Sequence, residues 1–346
     1  MSITVTTHPT AEGEIKHFTI TNRHGATATL SNLGACIVSI IVPDREGVMA
    51  DVVLGYDRPE SWMADGPCMG KVPGRYANRI ARGHFTLDGK EYTLAINNGP
   101  NALHGGPTGF QNRLWQAHAE GDDTVVMTYS ATDGEEGYPG RLSVTAIYTW
   151  SDKNELTLRL KAETDAPTVV NLTNHAYFNM DGEDSGTVLD HEMQLNASHW
   201  LPTDETQIPT GEIAPVAGTP MDFTAPKQIG RDIHEDFEAL KIGKGYDHCW
   251  VIDGYMKGQL KEVARLRGPK SGRLLTVSTT QPGVQVYTGN WLEGCPQSIS
   301  GHPYHDYDGV AIECQGFPDA PNKPSFPSQT LLPGEQFDET IVFSFS

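Results

Sequence analysis

The chain has 346 residues, with 44 acidic and 25 basic side chains, and its formal net charge at pH 7 is −19. Such a surface repels nucleic-acid phosphates and anionic lipid, which argues against either as a partner. The amino-terminal stretch has neither the basic start nor the apolar segment of a signal peptide, and no apolar run approaches the length of a membrane span. The five cysteines are widely spaced, which favours free thiols and a cytoplasmic protein.

Short strands dominate the predicted secondary structure, because apolar and polar residues alternate with a period of two in many segments. Asp88-Gly89 divides His84–Leu94 into two alternating runs, which predicts a tight hairpin turn. In chain order, the main alternating segments are Ala26–Asn32, Thr124–Thr132, Leu142–Ser151, Glu155–Thr164 and Thr340–Ser346.

Helical patterns are sparse. One segment, Gln228–Gly243, has apolar residues at helical spacing and predicts an amphipathic helix that ends near Gly243. No repeat or linker interrupts the chain, and strand patterns occur at both ends. The sequence therefore predicts an all-β protein with a single domain over residues 1–346, a large antiparallel β-sandwich with a few short helices.

Two residues suggest proton-transfer chemistry. His175 lies in Asn171–Asn179 among polar residues that include no lysine or glutamate, and Glu313 interrupts the apolar strand pattern of Gly309–Phe317. A carboxylate that is partly desolvated has a raised pKa and is a better base near neutral pH. An acid and a base from distant strands suit a small neutral substrate. On local pattern alone, each residue also fits a plainer interpretation as a polar position on a strand surface.

A basic cluster stands out in this acidic chain. It contains Arg75, Asn78, Arg79 and Arg82 within eight residues. Guanidinium groups offer donors in a fixed fork, so the cluster can clamp substrate oxygens. The alternative is a salt-bridged turn, which we favour for Arg75 and Arg82.

Three further polar residues are candidates for ligand binding. His104 precedes two glycines, which allow close backbone approach. Asp247 lies where an apolar run begins, and Gln285 lies on an alternating strand that follows a Pro-Gly turn. Each also fits a purely structural position. Asp247 and Glu313 together can alternatively be a glycosidase carboxylate pair.

The 13 histidines of the chain are candidate metal ligands. The nearest pairs are His302 with His305 and Asp247 with His248, and neither has the spacing of a known metal motif. We also find no nucleophile elbow, phosphate-binding loop or dinucleotide fingerprint. The sequence therefore predicts no metal and no cofactor.

As a set, seven segments resemble the aldose 1-epimerase family, the galactose mutarotases. They follow the order of that family from about Asn32 to the carboxyl terminus, so the resemblance covers nearly the whole chain. It implies the galactose mutarotase-like supersandwich, an all-β fold. The segments are GRYANRI, NALHGG, NLTNHAYFN, GYDH, TTQPGVQVYTGNW, VAIECQGFPDAPN and LLPGEQFDETIVFSF.

The resemblance also implies roles for particular residues. Glu313 matches the general base, which takes the C1 hydroxyl proton of a cyclic aldose, and His175 matches the general acid, which protonates the ring oxygen. The opened sugar then closes again as the other anomer. The expected partner is a free monosaccharide such as galactose or glucose, bound by a monomer or weak homodimer. The sugar-binding positions implied are Asn78, Arg79, His104, Tyr177, Asp247 and Gln285.

Three alternatives remain open at this point. A hexose-6-phosphate mutarotase would need extra basic residues, for which Arg75 and Arg82 are the local candidates. A silent sugar-binding module would be marked by loss of Glu313 or His175, and both are present. A glycoside hydrolase would use Asp247 with Glu313.

Overall fold

The computed structural model describes residues 1–346, and β-strands make up most of its regular structure. Two short α-helices occur, α1 (Pro59–Met63) and α2 (Glu238–Gly243), and neither is long and apolar enough to cross a membrane. The strands are β1 (Ser2–Thr10), β2 (Gly13–Thr21), β3 (Thr27–Ser31), β4 (Cys36–Pro43), β5 (Met49–Asp51), β6 (Arg79–Ile80), β7 (His84–Leu87), β8 (Lys90–Thr93), β9 (Ala102–Leu103), β10 (Gln116–Glu120), β11 (Thr124–Ala131), β12 (Leu142–Trp150), β13 (Glu155–Thr164), β14 (Thr168–Val169), β15 (Tyr177–Phe178), β16 (Glu192–Leu195), β17 (His199–Trp200), β18 (Ala214–Pro215), β19 (Lys227–Gln228), β20 (Asp247–Val251), β21 (Lys261–Arg267), β22 (Leu274–Thr279), β23 (Gly283–Tyr287), β24 (Val310–Gln315), β25 (Thr330–Leu331) and β26 (Phe337–Phe345).

Three sheets carry the architecture. The largest has nine strands in the order β10-β11-β12-β13-β26-β22-β21-β16-β19, the second has six in the order β15-β24-β23-β20-β17-β18, and the third contains β1 to β5 in sequence order. All strand pairings in the three sheets are antiparallel. The predicted antiparallel β-sandwich is therefore confirmed.

The alternating segments became strands close to their predicted bounds. β3, β11, β12 and β13 begin and end within one residue of the predictions. β26 begins at Phe337, three residues early, because it pairs with β13 through a polar stretch that alternation does not mark. The hairpin of β7 and β8 is also confirmed, and Asp88 and Gly89 have φ values of 50° and 77°, which this tight turn requires.

The helix predicted over Gln228–Gly243 is wrong in its first half. Only Glu238–Gly243 is α-helical, and Ile229–Arg231 forms a single 3-10 turn. The backbone N–H groups of Ile229 and Gly230 donate to carbonyls of a distant segment, residues 189–191, instead of to a helix. The apolar residues at helical spacing still reach the core, but through turns.

The core forms between the sheets. On β23 and β24, Val284, Val286 and Ile312 face a hydrophobic cluster of 60 buried residues that also includes side chains of the nine-stranded sheet. The rings of Phe178 and Phe343, from the six- and nine-stranded sheets, have centroids 5.3 Å apart. Because side chains alternate along a strand, the residues between these core positions face the opposite side of the six-stranded sheet.

Candidate active site

The candidate site lies on the face of the six-stranded sheet that points away from this core. Gln285 on β23 is directly opposite Glu313 on β24, and Asp247 on β20 is opposite Tyr287 on β23. β15 pairs with the other edge of β24 and adds Tyr177 to the same face. Directly opposed residues of antiparallel strands share a face, so the register assembles these polar side chains.

A second wall comes from the short pair β6 and β9. This pairing brings Asn78 and Arg79 beside His104, which follows β9. The backbone N–H of Asn78 donates to Nδ1 of His104 over 3.1 Å, which leaves Nε2 as the protonated nitrogen of the neutral ring. Asn78 and His104 both have left-handed φ values, 65° and 53°. Such backbone strain is concentrated at functional sites.

These elements enclose a cleft of about 550 Å³. Gln285 does not line it: the residue is buried, and its Nε2 donates to Oδ1 of Asp247 over 2.7 Å, so it contacts the cleft through that carboxylate. The other predicted site residues all line the cleft, namely Asn78, Arg79, His104, His175, Tyr177, Asp247 and Glu313.

The predicted acid and base meet in the cleft. Nε2 of His175 lies 3.4 Å from Oε1 of Glu313, and both side chains are almost fully buried. Burial raises the pKa of Glu313 well above its usual value, and the charge of Asp247 adds to this effect while Arg79 opposes it. Burial lowers the pKa of His175 to about 4. Burial therefore favours the neutral pair, with one proton that resides on Glu313.

Oε2 of Glu313 is buried without a hydrogen-bond partner. Buried polar atoms are nearly always paired, so an unpaired carboxyl oxygen at the base of a cleft marks a position for a ligand group. The rings of Tyr177 and Tyr287 pack near His175, with centroids 5.0 and 6.3 Å from the imidazole. They supply aromatic surface beside the polar groups, as sites for small polar ligands usually do.

Arg79 and Asp247 form an ion pair in the cleft wall, with Nη2 of Arg79 3.2 Å from Oδ2 of Asp247. Burial alone would raise the pKa of Asp247, but Arg79, His248 and the hydrogen bond from Gln285 outweigh it, and the pKa is lowered. Asp247 is therefore ionised, and the pair offers a charged acceptor beside a charged donor.

Several residues of the cleft were missed by sequence reasoning. Oε1 of Gln207 accepts from Nη2 of Arg79 over 2.8 Å, and Oδ1 of Asn98 accepts from Nε of Arg79 over 3.0 Å. Both lie in irregular segments without a local pattern, so only the fold reveals them. Trp291, which lines the mouth and is 64% exposed, offered a signal, because a tryptophan in a polar loop is unusual.

The interpretation of Arg75 and Arg82 as a salt-bridged turn was wrong. Arg75 is buried and donates to the carbonyl of Pro139 and the hydroxyl of Thr168, over 2.5 and 3.0 Å, which are neutral acceptors. Arg82 is exposed and makes no ion pair. Neither arginine lines the cleft.

Comparison with known proteins places this site in a family. The family model for aldose 1-epimerase matches residues 16–344. The chain is 47% identical to galactose mutarotase of Bos taurus over 313 residues, which cover 90% of this chain and 89% of that protein. It is 39% identical to aldose 1-epimerase of Escherichia coli (strain K12) over 330 residues, which cover 94% of each protein.

Solved structures agree. An aldose epimerase homologue from C. elegans has a TM-score of 0.87 and 35% identity, with 95% of this chain and 98% of that chain covered. Galactose 1-epimerase from Lactobacillus acidophilus has a TM-score of 0.85 and 27% identity, with 100% and 99% covered. The sequence match and the fold together show that this chain belongs to the aldose 1-epimerase family, and so is a carbohydrate isomerase.

Proposed function

We propose that the protein interconverts the α and β anomers of free hexoses such as galactose and glucose, with Glu313 as general base and His175 as general acid. The observation that supports this most is the 3.4 Å contact of Nε2 of His175 with Oε1 of Glu313 inside a polar cleft. A base and an acid at that spacing can serve the C1 hydroxyl and the ring oxygen, which are both attached to C1.

Ring opening begins when Glu313 removes the proton of the C1 hydroxyl. The C1–ring oxygen bond breaks, its electron pair goes to the ring oxygen, and His175 donates a proton to that oxygen. This leaves an aldehyde at C1. After rotation about C1–C2, His175 takes back the proton as the ring oxygen attacks the other face of the aldehyde, and Glu313 returns its proton to the former carbonyl oxygen. Protons are conserved over the cycle.

The forward step requires the shared proton to be on His175 when the sugar is bound. Burial favours the opposite arrangement, since it raises the pKa of Glu313 and lowers that of His175. Hydroxyl groups of a bound sugar donate hydrogen bonds to the carboxylate and so favour its charged form. Substrate binding therefore prepares the pair for reaction.

The remaining polar groups would hold the sugar. Arg79 and Asp247 present a donor and an acceptor to neighbouring hydroxyls. The imidazole ring of His104 lies beside that of His175, with the two centroids 5.2 Å apart, and its Nε2 is a free donor. Donors close to the ring oxygen stabilise the charge that develops as the ring opens. Fixed orientation of the sugar supplies the rest of the rate enhancement.

A phosphorylated sugar fits less well. Arg79 is the one arginine or lysine that lines the cleft, and it is already paired with Asp247. Asp247 and Glu293 are acidic groups of the same lining, which oppose a phosphate dianion. A neutral sugar is therefore the better match.

Polarimetry tests the proposal directly. Freshly dissolved α-galactose and α-glucose should approach rotational equilibrium much faster with the protein than in buffer, and α-glucose 6-phosphate should be accelerated far less. A preference for the phosphorylated sugar would replace the proposal with the phosphosugar alternative. Release of reducing sugar from a methyl glycoside would instead indicate a hydrolase.

A further inference from the structure

We propose that Gln207 is a positioning residue of this site, which bridges Arg79 and Asp247 so that the free end of the guanidinium faces the sugar. The inference rests on the proposed function. It concerns a residue of an irregular loop, between β17 and β18, that has no strand or helix to hold it.

The amide of Gln207 contacts both members of the ion pair. Its Oε1 accepts from Nη2 of Arg79 over 2.8 Å, and its Nε2 donates to Oδ2 of Asp247 over 2.8 Å. The direct contact of Arg79 with Asp247 is longer, 3.2 Å. A primary amide is uncharged, and it can donate to the carboxylate through its nitrogen while it accepts from the guanidinium through its oxygen. Gln207 therefore ties the two charges together.

The hydrogen bonds of Arg79 leave one end of its side chain free. Nη2 has two N–H groups, which go to Gln207 and Asp247, and Nε donates to Oδ1 of Asn98. A guanidinium has five N–H donors, so the two on Nη1 remain for a ligand. Because Arg79 lines the cleft, Nη1 is the donor that a sugar hydroxyl would meet.

The loop that carries Gln207 is built to hold it. Gln207 has a left-handed φ of 65°, which glutamine rarely adopts. Oδ1 of Asp204 accepts from the backbone N–H groups of Thr206 and Ile208 on either side of it. The carbonyl of Thr206 accepts from Nδ2 of Asn101, in the segment that leads to His104. A strained residue that its surroundings hold in place is typical of functional sites.

A shortened amide tests the bridge. Asparagine adopts the left-handed conformation readily, so Gln207→Asn keeps the backbone of the turn, but its amide is one methylene too short to reach both partners. We expect kcat/KM for α-galactose to fall about 10-fold, mainly through a higher KM, because a hydrogen bond to a charged group is misplaced. The melting temperature should stay within a few degrees of the wild type. Glu205→Gln, at an exposed position of the same turn, should match the wild type.

A double-mutant cycle shows whether Gln207 acts through Arg79. If it does, adding Gln207→Asn to Arg79→Ala should change kcat/KM less than twofold, because the group to be positioned is gone. If the loss of kcat/KM in the double variant equals the product of the losses in the two single variants, the inference is overturned. Unchanged kinetics of Gln207→Asn would also overturn it. A wild-type protein that does not accelerate mutarotation would instead refute the proposed function, so the two failures are distinguishable.

Discussion

At the scale of single residues, the proposed reaction depends on one proton shared by two buried groups. Burial raises the pKa of Glu313 and lowers that of His175 to about 4, so the pair keeps a single proton over a wide pH range. If both groups of the pair are protonated, no base is present, and if neither is protonated, no acid is present. Either tautomer of the singly protonated pair has the right composition for the reaction.

We therefore expect a bell-shaped pH dependence of kcat/KM. The acid limb should lie near pH 4, where the pair takes up a second proton. The alkaline limb should lie well above the usual pKa of glutamic acid, where the last proton leaves Glu313. Stopped-flow or polarimetric rates, corrected for the buffer reaction, give the profile. A rate that rises steadily with pH would contradict the shared-proton account.

Neighbouring charges should move the alkaline limb in opposite directions. Asp247 raises the pKa of Glu313 and Arg79 lowers it. Asp247→Asn should therefore shift the limb to lower pH, and Arg79→Ala should shift it to higher pH, whatever either substitution does to sugar binding. The same pH series on the two variants decides the point, and shifts of equal sign would show that the limb does not report Glu313.

At the scale of elements, the local sequence pattern predicted the conformation correctly where the residues of a strand or turn themselves determine it. The Asp88-Gly89 turn is the clearest case, because both residues have positive φ. Gly89→Val should destabilise the protein by about 1–2 kcal/mol, since nothing lies within 4 Å of the added Cβ and the cost is conformational. Urea unfolding measures it. Asp88→Asn, which tolerates the same conformation, should be nearly neutral, and equal effects of both would argue against this explanation.

Local pattern failed where distant segments decide the conformation. The first half of the predicted helix at Gln228–Gly243 bonds to residues 189–191 instead of to itself. Gln207 could not be predicted either, because it meets Arg79 from 128 positions away. Glu313 could be proposed from sequence, since a carboxylate in an apolar strand is visible locally. The residues that surround Glu313 could not be predicted in this way, because their positions follow from the register of β20, β23 and β24.

At the scale of the whole molecule, buried titratable groups set how stability depends on pH. Four histidines have pKa values lowered by burial to about 4, so they stay neutral in the fold, and stability rises with pH until the unfolded histidines lose their protons near 6.5. These are His17, His175, His191 and His248.

Buried carboxyl groups act in the opposite direction. Burial raises the pKa of Asp51 to about 7 and that of Glu339 to about 6, so each stabilises the fold when protonated and loses this contribution as pH rises through those values. Glu313 follows the same sign. Above pH 6.5 the histidine effect is complete. The losses from Glu339 and Asp51 end near their folded pKa values of about 6 and 7, and the loss from Glu313, whose pKa is raised well above its usual value, continues beyond them.

The melting temperature should therefore be highest near pH 6 and decline between pH 7 and 9. Asp51→Asn keeps the acceptor oxygen that bonds the N–H groups of Ile40 and Val53. Because wild-type Asp51 changes from neutral to ionised as the pH rises through about 7, the variant should gain about 2–3 kcal/mol of stability relative to the wild type between pH 5 and pH 8. Calorimetry across the pH range tests both statements. A melting temperature that still rises from pH 7 to 9 would show that other groups dominate.

The most direct test of the account is the anomerisation rate of Glu313→Gln. The amide keeps the shape of the side chain but cannot accept a proton, so kcat for α-galactose should fall at least about 10³-fold in polarimetry. Circular dichroism should be unchanged, and the melting temperature at pH 8 should equal or exceed that of the wild type, because a buried acid has been removed. A folded variant that keeps a rate within a few-fold of the wild type would contradict Glu313 as the base.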